Sequence, residues 1–314
     1  MTRRLRLIYM DDFRDLDHAV NRQELLAGGR TEYDIRLAVD AGVLEYLSRG
    51  VLIPAAVLDG TPEQRHRELC TAWMRRAPHA KRALAEVSAA AQLGLPVWGL
   101  DVERVVMADW SRTPGSRSTG GMRLVTDRRP VATVVANGLS VTSPARTVVD
   151  IARRSGRIPA IAVGDAALHA ELCTADDLQN ELDLIEGMTG AARARRAVAE
   201  MSGLAESVLE SRSRIEMLDA GIPRPALQVD IYDDAGRWVA RVDFYWETER
   251  VVGECDGASK YNGSEGPALM LYEKRRTDTL VELGNRVIHW GWGDVDAASQ
   301  LIARVRRVLT PPAA

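Results

Sequence analysis

The chain has 314 residues, more than one hydrophobic core usually organises, so two or three domains are expected and a single small module is excluded. Hydrophobic residues make up 46% and charged residues 27%, which excludes extensive disorder and fibrous repeats. A net charge of −3 excludes a polybasic nucleic-acid binder, so any attraction to phosphate must come from a local patch.

No apolar run approaches the ~18 residues of a membrane span, and the opening MTRRLRLIYMDDFRDLDH turns acidic where a secretory signal carries its apolar segment. A cytoplasmic protein is expected. Cys70, Cys173 and Cys255 are far apart and lack CxxC spacing, which points to reduced thiols rather than disulfides or structural zinc. Of the 41 basic side chains 38 are arginine, so Lys81, Lys260 and Lys274 each call for a reason.

In chain order, VNRQELLAGG places Asn21 before a helical turn with Glu24 three residues on, the reciprocal capping pattern, and Gly28 and Gly29 end the helix. Thr31 and Asp34 repeat the pattern for a second helix over roughly 32–41, stopped at Gly42. LEYLSRGVLIP then predicts two strands around Ser48, Arg49 and Gly50. Helix, tight turn, helix and hairpin form the plan of a winged helix-turn-helix over 1–58, whose second helix can enter a major groove. On that plan Arg30, Tyr33 and Arg36 face DNA and Arg49 sits at the wing tip. The alternatives are a helical cap packed on the rest of the chain, or a protein docking module.

Residues 59–200 predict a mixed α+β connector. Helical periodicity runs through RHRELCTAWMRR and AKRALAEVSAAAQLGL, and VERVVMAD, GMRLVTD and ATVVANGLSV are β-rich. In TSPARTVVDIARR, Ser143 and Pro144 start a helix, and Arg146 and Asp150 read as a surface pair. Three further helices bridge into the last segment. His66, His79 and His169 have no partner at metal-ligand spacing and read as surface or packing residues.

Residues 201–314 carry −4 and predict the order α-β-β-β-α-β-α: helix ESVLESRSRIEMLDAG, strands ALQVDIYDD, RWVARVDFYW and RVVGECDG, helix ALMLYEKRRTDTLVELG, strand NRVIHWGW, and a final helix from Asp294 to Leu309. Glu254 and Asp256, two apart, project from one face. If the hairpin turns at Thr248 and Glu249, paired residue numbers sum to 497, and Asp243 lies opposite Glu254. Val242, Phe244 and Trp246 then form the core face, leaving the acids to a cleft. Crowded carboxylates raise one another's pKa unless a cation sits among them, and Mg²⁺ prefers such an oxygen set. Lys260 lies within reach of the same pocket as a point charge.

Residues 206–295 resemble the PD-(D/E)XK nuclease superfamily, in the branch of small domains related to the very-short-patch-repair endonuclease. The match rests on Glu210 in VLESRSR, Gln228 in PALQVDI, Asp243 in RVDFYW, GECDGASKY, EKRRTD and RVIHW. The resemblance implies a restriction-endonuclease-like fold, with Asp243 and Glu254 as metal-binding acids for Mg²⁺ or Mn²⁺ and Glu210 as an assisting acid. The superfamily's lysine two residues after the second acid is replaced by Asp256, so its role passes to Lys260 or Lys274. Arg276 and Asp278 match recurring helix positions, and Gln228 alternatively satisfies sheet-edge groups. Upstream, LGLPVWG and SVTSPARTVVDIAR resemble actinobacterial proteins described as AbiEi-type antitoxins, which join a winged helix, a connector and often this nuclease-like end.

Together these features lead to a metal-dependent endonuclease that acts on double-stranded DNA. Its rival is an AbiEi-like antitoxin or repressor with a degenerate nuclease domain and a possible cognate toxin.

Overall fold

The computed structural model describes residues 13, 16–57, 60–76, 81–111, 115–119, 121–126, 129–130, 132–256 and 266–310, without the side chains of 48, 76, 115–119 and 266–273. The architecture is mixed α+β, and two compact units are present: Met1–Val163 with Leu172–Ala199, and Gly164–Glu171 with Glu200–Ala314. Among the described residues no helix is long and apolar enough to cross a membrane.

The first unit opens with β1 (Val20–Asn21), α1 (Arg22–Ala27), α2 (Glu32–Asp40), β2 (Leu44–Ser48) and β3 (Val51–Pro54), whose strands pair in the order β1-β3-β2. This is the expected winged-helix plan. Glu24 accepts the Asn21 N–H at 2.9 Å. Thr31 and Asp34 cap each other reciprocally, with the Thr31 N–H donating to Asp34 at 2.8 Å and the Asp34 N–H to Thr31 Oγ1 at 3.2 Å. The hairpin turns at Arg49 and Gly50. Its strand β3 is buried on both faces: Leu52 joins Leu25, Ile35 and Leu44, while Val51 and Ile53 join Leu69, Cys70 and Trp73 of the next helix, α3 (Pro62–Arg76). Alternation along one strand therefore ties the winged-helix-like segment to the helix beyond it.

The chain continues into a six-stranded sheet in the order β6-β7-β5-β4-β9-β8, built from β4 (Arg82–Leu84), β5 (Val105–Asp109), β6 (Gly115–Thr119), β7 (Met122–Thr126), β8 (Thr133–Ala136) and β9 (Leu139–Thr142). The expected helix AKRALAEVSAAAQLGL is corrected here: its start is β4, between β5 and β9, and only α4 (Glu86–Gln92) is helical. Pairing on both edges and complete burial of Ala83 and Leu84 override alanine's helical preference. Asn137 and Gly138, with φ of 50° and 75°, turn β8 into β9 as a primed hairpin requires. Helices α5 (Pro144–Arg154), α6 (Arg157–His169), α7 (Ala175–Leu184) and α8 (Ala191–Val198) come next, and Ser143 caps α5.

The surface pair expected from Arg146 and Asp150 is also corrected. Both are buried, and Asp150 is the hub of an ion network. It accepts from Arg129 at 2.6 and 2.8 Å and from Arg153 at 3.1 Å, with Arg146 at 3.6 Å. The i,i+3 and i,i+4 spacing on α5 predicts proximity, whereas burial comes from the neighbouring segments packed over it. His66 is a packing residue: its Nδ1 meets Val102 O at 2.7 Å and its Nε2 meets Ser88 Oγ at 2.9 Å. His169 is exposed and His79 lies outside the described residues.

The second unit places a four-stranded sheet, β10 (Ala226–Tyr232), β11 (Trp238–Trp246), β12 (Val251–Cys255) and β13 (Arg286–Trp290) in that order, between helical layers. One layer is α9 (Val208–Asp219), α11 (Trp292–Asp296) and α12 (Ala298–Leu309), whose apolar side chains meet Phe244, Trp246 and Trp290. On the other side α10 (Gly266–Glu282) buries Leu280 against Ala240, Val242 and Val252. The final helix expected from Asp294 is divided at Ala297 into α11 and α12. Strands β12 and β13 run parallel, which requires α10 as their crossover.

Candidate functional site

At the amino end, Tyr33 and Arg36 occupy successive turns of α2, and the Arg36 guanidinium lies 5.4 Å from the Tyr33 ring centroid. Tyr33 is 58% exposed, so its ring stands outside the core. Arg30 lies over the Phe13 ring, 5.2 Å from its centroid, and Arg49 is exposed at the hairpin turn. These four residues thus occupy a helix, the turn before it and the adjacent hairpin. Glu32, paired with Arg22, and Asp40 add negative charge to the same helix.

In the second unit, the register of β11 and β12, Phe244↔Gly253, Tyr245↔Val252 and Trp246↔Val251, has the sum expected from the turn. The two-faced assignment built on it is corrected. Pairs Leu227↔Phe244 and Val229↔Val242 lie two residues apart, yet the first packs toward α9 and α12 and the second toward α10. Between them stands Gln228 with φ of 52°, a left-handed conformation that interrupts alternation. Helices lie on both faces; Glu254 is buried, while Asp243 and Asp256 are half-buried.

At this switch Gln228 Nε2 donates to Glu210 at 2.9 Å and to Asp243 at 3.2 Å. Asp243 also accepts the Cys255 N–H at 2.8 Å. Glu210 caps its own helix, accepting from Glu206 N and Ser207 Oγ, and is buried. Burial pushes its carboxyl above the ordinary glutamate range, opposed by the Glu206 N–H, and the neighbouring charge of Asp243 adds to the rise. Glu254 is buried and accepts from Arg276 at 2.8 Å. Asp256 lies just past β12, 3.3 Å from His289 Nδ1. Register sets His289 beside Glu254 on the parallel strand.

The structure therefore gathers Glu210 and Asp243 around one amide and turns Glu254 toward α10. Lys274 is exposed and stands two residues before Arg276, roughly 200° around the helix, so it faces away from Glu254. Lys260 lies outside the described residues. Among the described residues no three Asp, Glu, His or Cys side chains converge as metal ligands. The carboxylate of Asp243 is held by Gln228 and the Cys255 N–H and that of Glu254 by Arg276, so a divalent ion there would have to displace these donors. Sequence reasoning did not assign His289 a role or see the backbone of Gln228. The former had a signal in RVIHW, where parallel pairing brings strand ends together, and the latter had none.

Residues 110–199 match the AbiEi antitoxin C-terminal domain, a span that contains Asp150 and its arginines. Over 216 residues the chain is 34% identical to uncharacterized protein MT2308 of Mycobacterium tuberculosis strain CDC 1551 / Oshkosh, and equally to uncharacterized protein Rv2248 of strain ATCC 25618 / H37Rv. Each match covers 68% of this chain and 78% of the relative. With likeness over that share of both chains, the protein belongs to the same family as these mycobacterial proteins, and its middle segment is similar to the AbiEi antitoxin C-terminal domain.

Proposed function

We propose that the protein is a DNA-binding regulator of the antitoxin type, reading duplex DNA through α2 and the β2–β3 hairpin. The observation that carries this reading is the exposed Tyr33 and Arg36 pair on the second helix of a capped two-helix turn, with Arg49 on the adjoining hairpin. Phosphate contacts from Arg30, Arg36 and Arg49 set affinity, and the Tyr33 edge supplies apolar contact in the groove. The likeness to an antitoxin domain supports the regulatory role and makes a cognate toxin the second partner. The test is fluorescence anisotropy with duplexes from the protein's own upstream region. Binding that weakens with salt and falls about tenfold in Arg36→Ala supports the reading. Binding unchanged in both Arg36→Ala and Arg49→Ala overturns it.

A second reading, phosphodiester hydrolysis in the last domain, is favoured by Gln228 joining Glu210 to Asp243 beside Glu254. Divalent metal at Asp243 and Glu254, with Asp256, Lys260 and Lys274 in supporting roles, belongs to this reading. It requires Arg276 to release Glu254. Plasmid cleavage in Mg²⁺ or Mn²⁺ that disappears in both Asp243→Ala and Glu254→Ala selects hydrolysis. Operator binding without cleavage selects the regulator.

A further inference from the structure

In the first unit, away from α2 and the hairpin, a cleft of about 160 Å³ opens between α4, β5, β7 and the end of α5. Its floor is apolar, formed by Val87, Val106 and Ile151. Three guanidiniums line it, those of Arg104, Arg123 and Arg154. One buried carboxylate, Glu86, serves two of them: Arg154 Nη1 donates to Glu86 Oε1 at 2.5 Å, and Arg123 Nη2 donates to Oε2. Arg154 also lies 4.0 Å from Asp150, which is already engaged by Arg129 and Arg153. Arg104 is exposed and has no ion pair among the described residues. The other carboxylate at the rim, Asp101, accepts the Glu103 N–H at 3.0 Å instead of meeting an arginine.

Each guanidinium has donors on three nitrogens. Arg123 and Arg154 each spend one terminal nitrogen on Glu86, so their Nε and second terminal nitrogen have no acceptor among the described residues. Glu86 thus orients two arginine planes while neutralising only one positive charge. Its backbone has φ of 50°, a left-handed conformation that a glutamate rarely adopts. Such an outlier in a cleft wall points to a placement set by the side chain's task.

We propose that this cleft binds a phosphate group, carried by a small molecule or free in solution, through Arg104, Arg123 and Arg154. Planar paired donors match tetrahedral oxyanions, and the apolar floor accepts a short carbon body. The two sources of phosphate differ in that body.

The test is isothermal titration of the full-length protein with inorganic phosphate and, separately, with glycerol phosphate. Saturable binding with a Kd of about 1 mM or tighter, weakened at least about tenfold in both Arg104→Ala and Arg123→Gln, supports the proposal. Tighter binding of glycerol phosphate identifies a phosphate monoester as the ligand, and equal binding identifies the free ion. Glu86→Gln removes the competing negative charge and strengthens binding about threefold or more. Should that variant fail to fold, the two arginine variants still decide. Absence of saturable binding, or binding unaltered in both, overturns the proposal. So does a loss of duplex DNA binding in these variants without phosphate binding, which assigns the arginines to the nucleic-acid backbone.

Discussion

Replacing Asp150 by asparagine keeps the side chain's shape but removes the negative charge at the centre of a buried arginine cluster. Asp150 is 4% exposed in the wild type and accepts hydrogen bonds from Arg129 and Arg153, with Arg146 0.5 Å further than the Arg153 contact. Charge-assisted bonds contribute about 1.5–3 kcal/mol each, but they do not add, because the guanidiniums keep other acceptors. Arg129 also faces Glu181 at 3.6 Å, and Arg153 donates to Thr189 O at 3.2 Å. Removing one partner of a buried pair costs about 3–5 kcal/mol, the uncompensated charges being the dominant part. For domains of about 150–250 residues each kcal/mol moves Tm by roughly 2–4 °C, so Asp150→Asn is expected to lower Tm by about 6–20 °C. Circular dichroism melts of the variant, beside the exposed control Asp176→Asn, give the measurement. A shift below about 3 °C, comparable with the control, would refute the network as a stabilising centre.

Other consequences concern both units. Gly253→Ala places a methyl 2.5 Å from the Trp290 ring, which is buried and held by Ser213, so a loss of about 1–3 kcal/mol is expected in urea unfolding. In Asp243→Asn the Glu210 carboxyl titrates at lower pH than in the wild type, because a neighbouring charge that raises it is gone; carbon NMR of the glutamate carboxyls reads the midpoint. In the wild type the raised Glu210 contributes stability fully present below the ordinary glutamate value, and it is lost as pH rises through the raised one. His66 behaves in the opposite direction. Burial holds its imidazole below the ordinary histidine value of 6.5, so its contribution is present above that pH and lost as pH falls, and melts between pH 7 and 5 show a shallower acid slope in His66→Asn.

Much of the architecture was legible locally. Asn21, Thr31 and Ser143 announce helix starts because capping acts within a turn, whereas ATVVANGLSV, read as one β-rich run, is folded at Asn137 and Gly138 into two strands. The register of β11 and β12 came from a single turn, since each later pair inherits the first. Contacts distant in sequence decided the rest. Arg82–Leu84, at the head of the run AKRALAEVSAAAQLGL, is a strand because two neighbours pair with it, and Asp150 is buried because Arg129 and α7 close over α5. The amide that gathers Glu210 and Asp243 stands 18 and 15 residues from them, and the arginine that claims Glu254 stands 22 residues away. A sequence carries the acids and their spacing, but which donor each carboxylate meets depends on how helices pack against both faces of the sheet, a choice made by the whole core rather than by neighbours in the chain.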